Sequence, residues 1–221
     1  MAGEFITLRA GDGHESGGYL ARSDGATRGA VVVVQEIFGV NHHIRSVCDR
    51  YAAAGWTALA PALFDRVERG VELAYDQAGI DRGRAIMGQV SMDAALADIG
   101  AALAHLGAPG SAAVVGFCWG GTLAWLAAAR LPVRAAIGYY GGQIGKNVQL
   151  TPRAPVLLHF GEKDTAIPLS VAEEVRAAHP EVMVHLYPAG HGFSCDERGS
   201  YDADSAQRAW RRTQGLLEAA F

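Results

Sequence analysis

The stretch Gly116-Phe117-Cys118-Trp119-Gly120-Gly121 limits what this chain can fold into more than any other. A short apolar segment, Ala112-Ala113-Val114-Val115, runs into it, and residues 122–130, rich in helix formers, follow it. That order is strand, sharp turn, helix. The turn reads G-x-C-x-G, a nucleophile elbow with cysteine in place of serine. Glycine stands on either side because the turn is strained at the central residue, and side chains at Gly116 and Gly120 would collide with the elements it joins. The turn lifts Cys118 above the sheet edge and places it at a helix N-terminus, where the dipole favours a thiolate. The ordinary alternative is a glycine-rich β–α turn holding a buried cysteine.

Composition narrows the partners. The 221 residues are half apolar, enough for one sizeable core, and the whole chain is read as one domain, residues 1–221. The net charge is −4, and the 19 basic residues are scattered without a stripe, so nucleic acid is not expected. No apolar run is long enough to span a membrane. Met1-Ala2-Gly3-Glu4-Phe5 lacks a basic segment followed by an apolar one, so no signal peptide is expected. Three cysteines, Cys48, Cys118 and Cys195, fit a reducing, cytoplasmic setting and argue against a disulfide framework. The eight histidines show no HExxH or CxxC-type spacing, so neither a metal nor another cofactor is inferred. A monomer or weak homodimer is expected.

Along the chain, residues 5–8 and 18–21 alternate around Gly11-Asp12-Gly13, the pattern of an edge hairpin. Residues 30–34 form a continuous β-branched run, the mark of a strand buried on both faces. Asn41 is a candidate N-cap for a helix carrying Ile44, Val47, Cys48 and Tyr51, which Gly55 ends. Residues 57–60 read as the next strand. The more polar stretch 62–90 carries Arg66, Arg69, Arg82 and Arg84 and reads as short helices over the sheet's C-terminal edge. A helical stripe of Leu96, Ile99, Leu103 and Leu106 follows Ser91. Residues 133–140, 155–160 and 182–187 read as strands, and 171–178 and 203–220 as helices. Strands alternating with helices in one series imply a mostly parallel, doubly wound sheet flanked by helices.

Two later turns complete a constellation. Strand 155–160 runs into Gly161-Glu162-Lys163-Asp164, and strand 182–187 into Pro188-Ala189-Gly190-His191-Gly192-Phe193. Each sets a polar residue past a strand's C-terminal end, where open α/β sheets bind ligands. The order nucleophile, acid, histidine is that of the α/β-hydrolases. In that arrangement His191 takes the thiol proton and later protonates the leaving group, while Asp164 fixes its tautomer. Singly, an Asp after a strand is a common turn former and a His beside glycines a common loop residue.

Across nearly its whole length the chain resembles the dienelactone hydrolases, or carboxymethylenebutenolidases. The resemblance rests on Gln35-Glu36-Ile37-Phe38-Gly39, Pro61-Ala62-Leu63-Phe64, the elbow, Gly138-Tyr139-Tyr140-Gly141, Gly161-Glu162-Lys163-Asp164 and Gly190-His191-Gly192-Phe193. It implies a single-domain α/β-hydrolase fold and a hydrolase cleaving a small ester or lactone through a cysteine-bound acyl intermediate. It further implies that Glu36 partners the Cys118 thiol, keeping sulfur protonated until substrate displaces the carboxylate. The alternative for Glu36 is a turn carboxylate bonded to backbone. Backbone N–H groups of Ile37 and Trp119 are the expected oxyanion donors.

Substrate recognition departs from the family pattern. Its well-known members hold a substrate carboxylate with two arginines. For the first, Arg82 is the nearest candidate here and Arg84 the second. The other typically lies four residues after the catalytic histidine, where this chain has Cys195; Arg198 follows three residues on. Phe38, Trp119, Tyr139 and Phe193 are candidate pocket walls, though aromatics at strand ends also serve as core. A carboxylesterase or thioesterase acting on another small acyl compound, a non-catalytic ligand-binding member of the fold and a thiol-redox protein are the other classes the residues admit.

Overall fold

The computed structural model describes residues 3–221; Met1 and Ala2, part of the leader-segment reading, lie outside the described residues. One sheet of eight strands runs β1 (Glu4–Arg9), β2 (Glu15–Ala21), β3 (Ala30–Val34), β4 (Thr57–Pro61), β5 (Ala112–Phe117), β6 (Ala136–Tyr139), β7 (Val156–Gly161) and β8 (Met183–Tyr187) in chain order. Its spatial order is β1-β2-β4-β3-β5-β6-β7-β8. The β1–β2 hairpin is antiparallel and meets β4 antiparallel; the six strands from β4 to β8 pair in parallel. All five residues of β3 and all six of β5 are buried, as a sheet covered on both faces requires.

Helices α1 (His42–Ala53) and α6 (Ala203–Ala220) cover one face, where Tyr51 of α1 packs on Trp210 of α6 at 4.7 Å between ring centroids. Helices α3 (Met92–Leu106), α4 (Trp119–Arg130) and α5 (Ser170–Ala178) lie on the other side. Their starts follow ordinary capping chemistry. The Asn41 side chain accepts the Ile44 N–H at 3.2 Å, and Ser91 Oγ accepts the Ala94 N–H at 3.1 Å. The elbow helix α4 is buried from Trp119 to Ala129, so it is the central support of the molecule. Arg66 braces the hairpin against α3: it makes a two-point pair with the fully buried carboxylate of Asp98, at 2.8 and 2.7 Å, and reaches Asp12 at 2.7 Å.

Two segments differ from the sequence expectation. The strand read at 133–140 spans only Ala136–Tyr139: the chain before it is irregular, although the Arg134 N–H donates to the Ala112 carbonyl at 2.8 Å and the Ala135 carbonyl accepts the Val114 N–H at 2.9 Å. The covering stretch holds one 3₁₀ turn, Leu63–Arg66, and one helix, α2 (Gln77–Met87), with irregular chain between them. Helix α2 comes very close to the turn after β3. A Cβ on Gly83 would stand 1.9 Å from the Ile37 carbonyl oxygen, so only glycine allows this approach. Strand order reverses between β3 and β5, which lie side by side while the chain leaves them in opposite directions. Such a switch point opens a crevice at the strands' C-terminal ends.

Candidate active site

The crevice receives the turn after β3 on one side and the elbow after β5 on the other. Cys118 has φ 54° and ψ −113°, a backbone state that costs a non-glycine residue about 1–3 kcal/mol. The surroundings impose it. A Cβ at Gly116 would lie 1.8 Å from the Gly120 carbonyl oxygen, and one at Gly120 would lie 2.4 Å from that of Val34. The second clash is with the neighbouring strand β3, beyond the two elements the turn joins. The Cys118 N–H donates to the Tyr139 carbonyl at 2.9 Å, which ties the elbow to β6.

His191 Nε2 stands 3.2 Å from Cys118 Sγ, and His191 Nδ1 stands 2.7 Å from Asp164 Oδ2. Asp164 follows β7 and is oriented in turn: its Oδ1 accepts the N–H groups of Ala166 and Ile167 at 2.8 and 3.1 Å. Burial works against the Asp164 charge, yet these bonds and His191 hold its carboxyl below the usual range. Burial likewise opposes a charged His191, but the hydrogen bonds to Asp164 and Cys118 prevail and push it up to about 10. Tyr140 packs its ring 5.1 Å from the imidazole and bonds through its hydroxyl to Ser194 at 2.7 Å, steadying the histidine loop.

A cavity of about 220 Å³ opens onto this sulfur. Its walls include Ile37, Phe38, Trp119, Arg84, Arg198 and His191. Trp119 is the first residue of α4, so its N–H has no partner within the helix. Ile80 and Met87 of α2, Gln143 after β6 and Ile167 after β7 also face the space. Nothing in their local sequence marked them; they meet only because three loops and α2 converge on one strand end.

Glu36 is almost wholly buried, but its carboxylate is not on the thiol. Oε1 accepts from Arg198 Nη1 at 3.1 Å and Oε2 accepts from the Tyr75 hydroxyl at 3.0 Å. Among the described residues it shares no hydrogen bond with Cys118. The expected thiol contact gives way because the cation and the phenol satisfy both oxygens. Burial works against the Arg198 charge, but the Glu36 carboxylate beside it keeps the guanidinium protonated. The backbone-bonded alternative for Glu36 does not describe it either.

Other expected positions move. Arg82 pairs with Glu68, both about half exposed, and does not line the cavity; Arg84 does. Two residues apart on a helix means nearly opposite faces, so only one of them can look inward. Tyr139 and Phe193 are core, not walls. The Tyr139 hydroxyl bonds to Thr213 of α6 at 2.7 Å, and the Phe193 ring, fully buried, packs 5.0 Å from Tyr187. Cys195 is also fully buried and faces Tyr75. Gln35 serves as a strut: its Oε1 accepts the Leu63 N–H at 3.1 Å.

Comparison with known proteins agrees with this geometry. The family model for the dienelactone hydrolase family matches residues 17–221. The chain belongs to the dienelactone hydrolase family. Carboxymethylenebutenolidase 1 of Cupriavidus pinatubonensis is 31% identical over 227 residues, covering 98% of this chain and 97% of that protein. A protein of Synechocystis sp., provisionally named a carboxymethylenebutenolidase, is 36% identical over 208 residues and covers 85% of each chain. A crystal structure from Klebsiella pneumoniae, provisionally described as a dienelactone hydrolase, superposes with a TM-score of 0.80 at 31% identity, covering 97% of this chain and 98% of that one. The fold is that of the α/β-hydrolases, and the protein is a carboxylic ester hydrolase of carboxymethylenebutenolidase-like type. Among the described residues, no helix is long and apolar enough to cross a membrane.

Proposed function

We propose that this dienelactone hydrolase-family member cleaves a small ester or lactone by attack of Cys118 on the acyl carbon. The observation that carries the reading is the continuous relay Cys118–His191–Asp164, with 3.2 and 2.7 Å between its polar atoms, facing a cavity of about 220 Å³. His191, its imidazole pushed up to about 10, already holds the proton taken from the Cys118 thiol as the S–C bond forms. The N–H groups of Ile37 and Trp119 hold the oxyanion, and His191 returns the proton to the departing oxygen as the C–O bond breaks. Water then attacks the thioester, His191 accepts its proton, and collapse of the second oxyanion restores the thiol and frees the acid. Asp164 holds the imidazole tautomer and stabilises its cation throughout.

The acyl compound is expected to be small and to carry a carboxylate. Arg84 and Arg198 enter the cavity from opposite segments, while Ile37, Phe38 and Trp119 supply apolar walls. Arg198 takes the place of the family's second arginine, reaching the site from three residues further along the chain than Cys195. Its bond to Glu36 uses one guanidinium nitrogen and leaves the rest of the fork for a ligand. A substrate carboxylate on Arg198 would compete with Glu36 and free that carboxylate to move. A monomer or weak homodimer is in keeping with a relay drawn from one chain and with large exposed apolar residues scattered from Phe5 to Phe221; the free cysteines favour a reducing, cytoplasmic setting. The test is a panel of dienelactones, aryl esters and thioesters assayed with wild type and Cys118→Ala. A thioester adduct mapped by mass to Cys118, and its loss in the variant, is the expected result; turnover that survives the substitution overturns it.

A further inference from the structure

We propose a second site on this chain, for a divalent transition-metal ion of the zinc type, built by His43, Cys195 and Asp196. None of the three belongs to the relay at Cys118. An imidazole nitrogen of His43, Cys195 Sγ and a carboxylate oxygen of Asp196 all lie within 4.8 Å of one another. With bonds of about 2.0–2.3 Å, ligand atoms of a tetrahedral zinc ion stand roughly 3.6 Å apart, so side-chain shifts of about 1 Å close the site. Nitrogen, sulfur and oxygen donors together suit zinc and its neighbours and not the oxygen-seeking magnesium or calcium. Three protein ligands leave a fourth position for water.

The imidazole is the second, independent observation. His43 is 3% exposed. Its Nδ1 stands 3.1 Å from Asp196 Oδ1, whereas Nε2 is buried and has no partner among the described residues. Such an orphaned buried group costs about 1–3 kcal/mol. The ring packs against Tyr75 and Phe117, and its one polar partner among the described residues is Asp196, itself a member of the proposed donor set. Cys195 is sealed from solvent, but the Asp196 side chain is 69% exposed and gives the ion its way in. As the metal–sulfur bond forms, the thiol proton leaves to solvent.

The position gives the ion something to do. His43 stands in the first turn of α1, and Cys195 and Asp196 follow the catalytic histidine by four and five residues, so the metal clamps the histidine loop to α1. His42 and Glu197 already join the same two segments at 2.5 Å. Cys195 also faces Tyr75, whose hydroxyl holds Glu36 beside Arg198, so an ion on Cys195 reaches the cavity wall through two contacts.

Cobalt(II) titration of the whole chain tests the site through thiolate-to-metal charge-transfer absorption. The titration uses Cys118→Ser, which removes the other thiol–imidazole pair able to take a soft ion. One equivalent is expected to saturate the band, and zinc to displace it. Adding Cys195→Ser is expected to abolish it with an unchanged circular dichroism spectrum. Asp196→Asn, a change at the exposed rim that leaves the core intact, is expected to weaken cobalt at least tenfold. No band in Cys118→Ser, a band that persists without Cys195, or equal affinity in Asp196→Asn overturns the proposal.

Discussion

Among the described residues Cys118 Sγ has one hydrogen-bonding partner, His191 Nε2, and that pair sets the expectations at the residue scale. Cys118→Ala deletes the proposed nucleophile with little change in volume; hydrolysis should vanish while the thermal transition stays in place. His191→Ala removes base and acid together and is expected to cost about 10⁴–10⁶-fold in turnover, with Asp164→Asn losing about 10⁴-fold. The double variant should be no worse than His191→Ala, since the two act as a unit; additive losses would show Asp164 acting elsewhere. Glu36→Gln has a different signature. It leaves Arg198 without its buried counter-charge close to the sulfur, so iodoacetamide should alkylate Cys118 faster at neutral pH. Stability should fall by about 3 kcal/mol, because one partner of a buried ion pair is stranded. Unchanged alkylation and unchanged melting would show that the Glu36–Arg198 pair has no influence on the nucleophile.

At the scale of elements, the glycines separate into those that geometry demands and those it does not. Gly120 sits where a Cβ would press on the Val34 carbonyl oxygen, so Gly120→Ala must push α4 away from β3. Loss of soluble protein, or destabilisation beyond about 3 kcal/mol with collapse of activity, is expected. Gly215 lies within α6, exposed, with nothing within 4 Å of a built Cβ. There Gly215→Ala should stabilise by about 0.5–1 kcal/mol. In a chain of this size that raises the melting temperature by about 1–4 °C. Calorimetry on the two variants should move in opposite directions. Helix α2 is the third case: Gly83 lets it touch the turn after β3, and that contact is what brings Arg84 to the cavity and leaves Arg82 outside.

For the whole molecule, the relay makes stability depend on pH. His191 is raised in the folded state to about 10 from an ordinary value near 6.5. A group raised in this way stabilises the fold fully below its unfolded value, and the contribution fades as pH climbs through the folded one. Asp164, held low, acts in the opposite sense: its contribution is present above the unfolded carboxylate value and is lost as pH falls through the folded one. Wild type should therefore lose melting temperature between about pH 6.5 and 10 relative to His191→Gln. Parallel curves for the two proteins over that window would show that the imidazole carries no folding free energy.

How much of this was legible follows from the range of each interaction. Periodicity, caps and turn residues are local signals, and they located the β3 run, the Asn41 cap, the elbow, α6 and the turns carrying Asp164 and His191 within a residue or two. One boundary was read too early: the strand read at 133–140 begins at Ala136. The alternation of strands and helices was enough for a parallel, doubly wound sheet with its polar residues past the strands' C-terminal ends, whereas the switch point between β3 and β5 needed the strand order. Side-chain facing across distance was not legible. Glu36 lies 162 positions from Arg198, and only the packed structure decides that the carboxylate meets that cation and Tyr75 before it meets sulfur. Spacing rules for metal ligands look for donors close in sequence, whereas His43 stands some 150 residues from Cys195 and Asp196. Sequence settles what depends on neighbours along the chain; which charge neutralises which, and which donors share a space, is decided by loops that converge only after the sheet has formed.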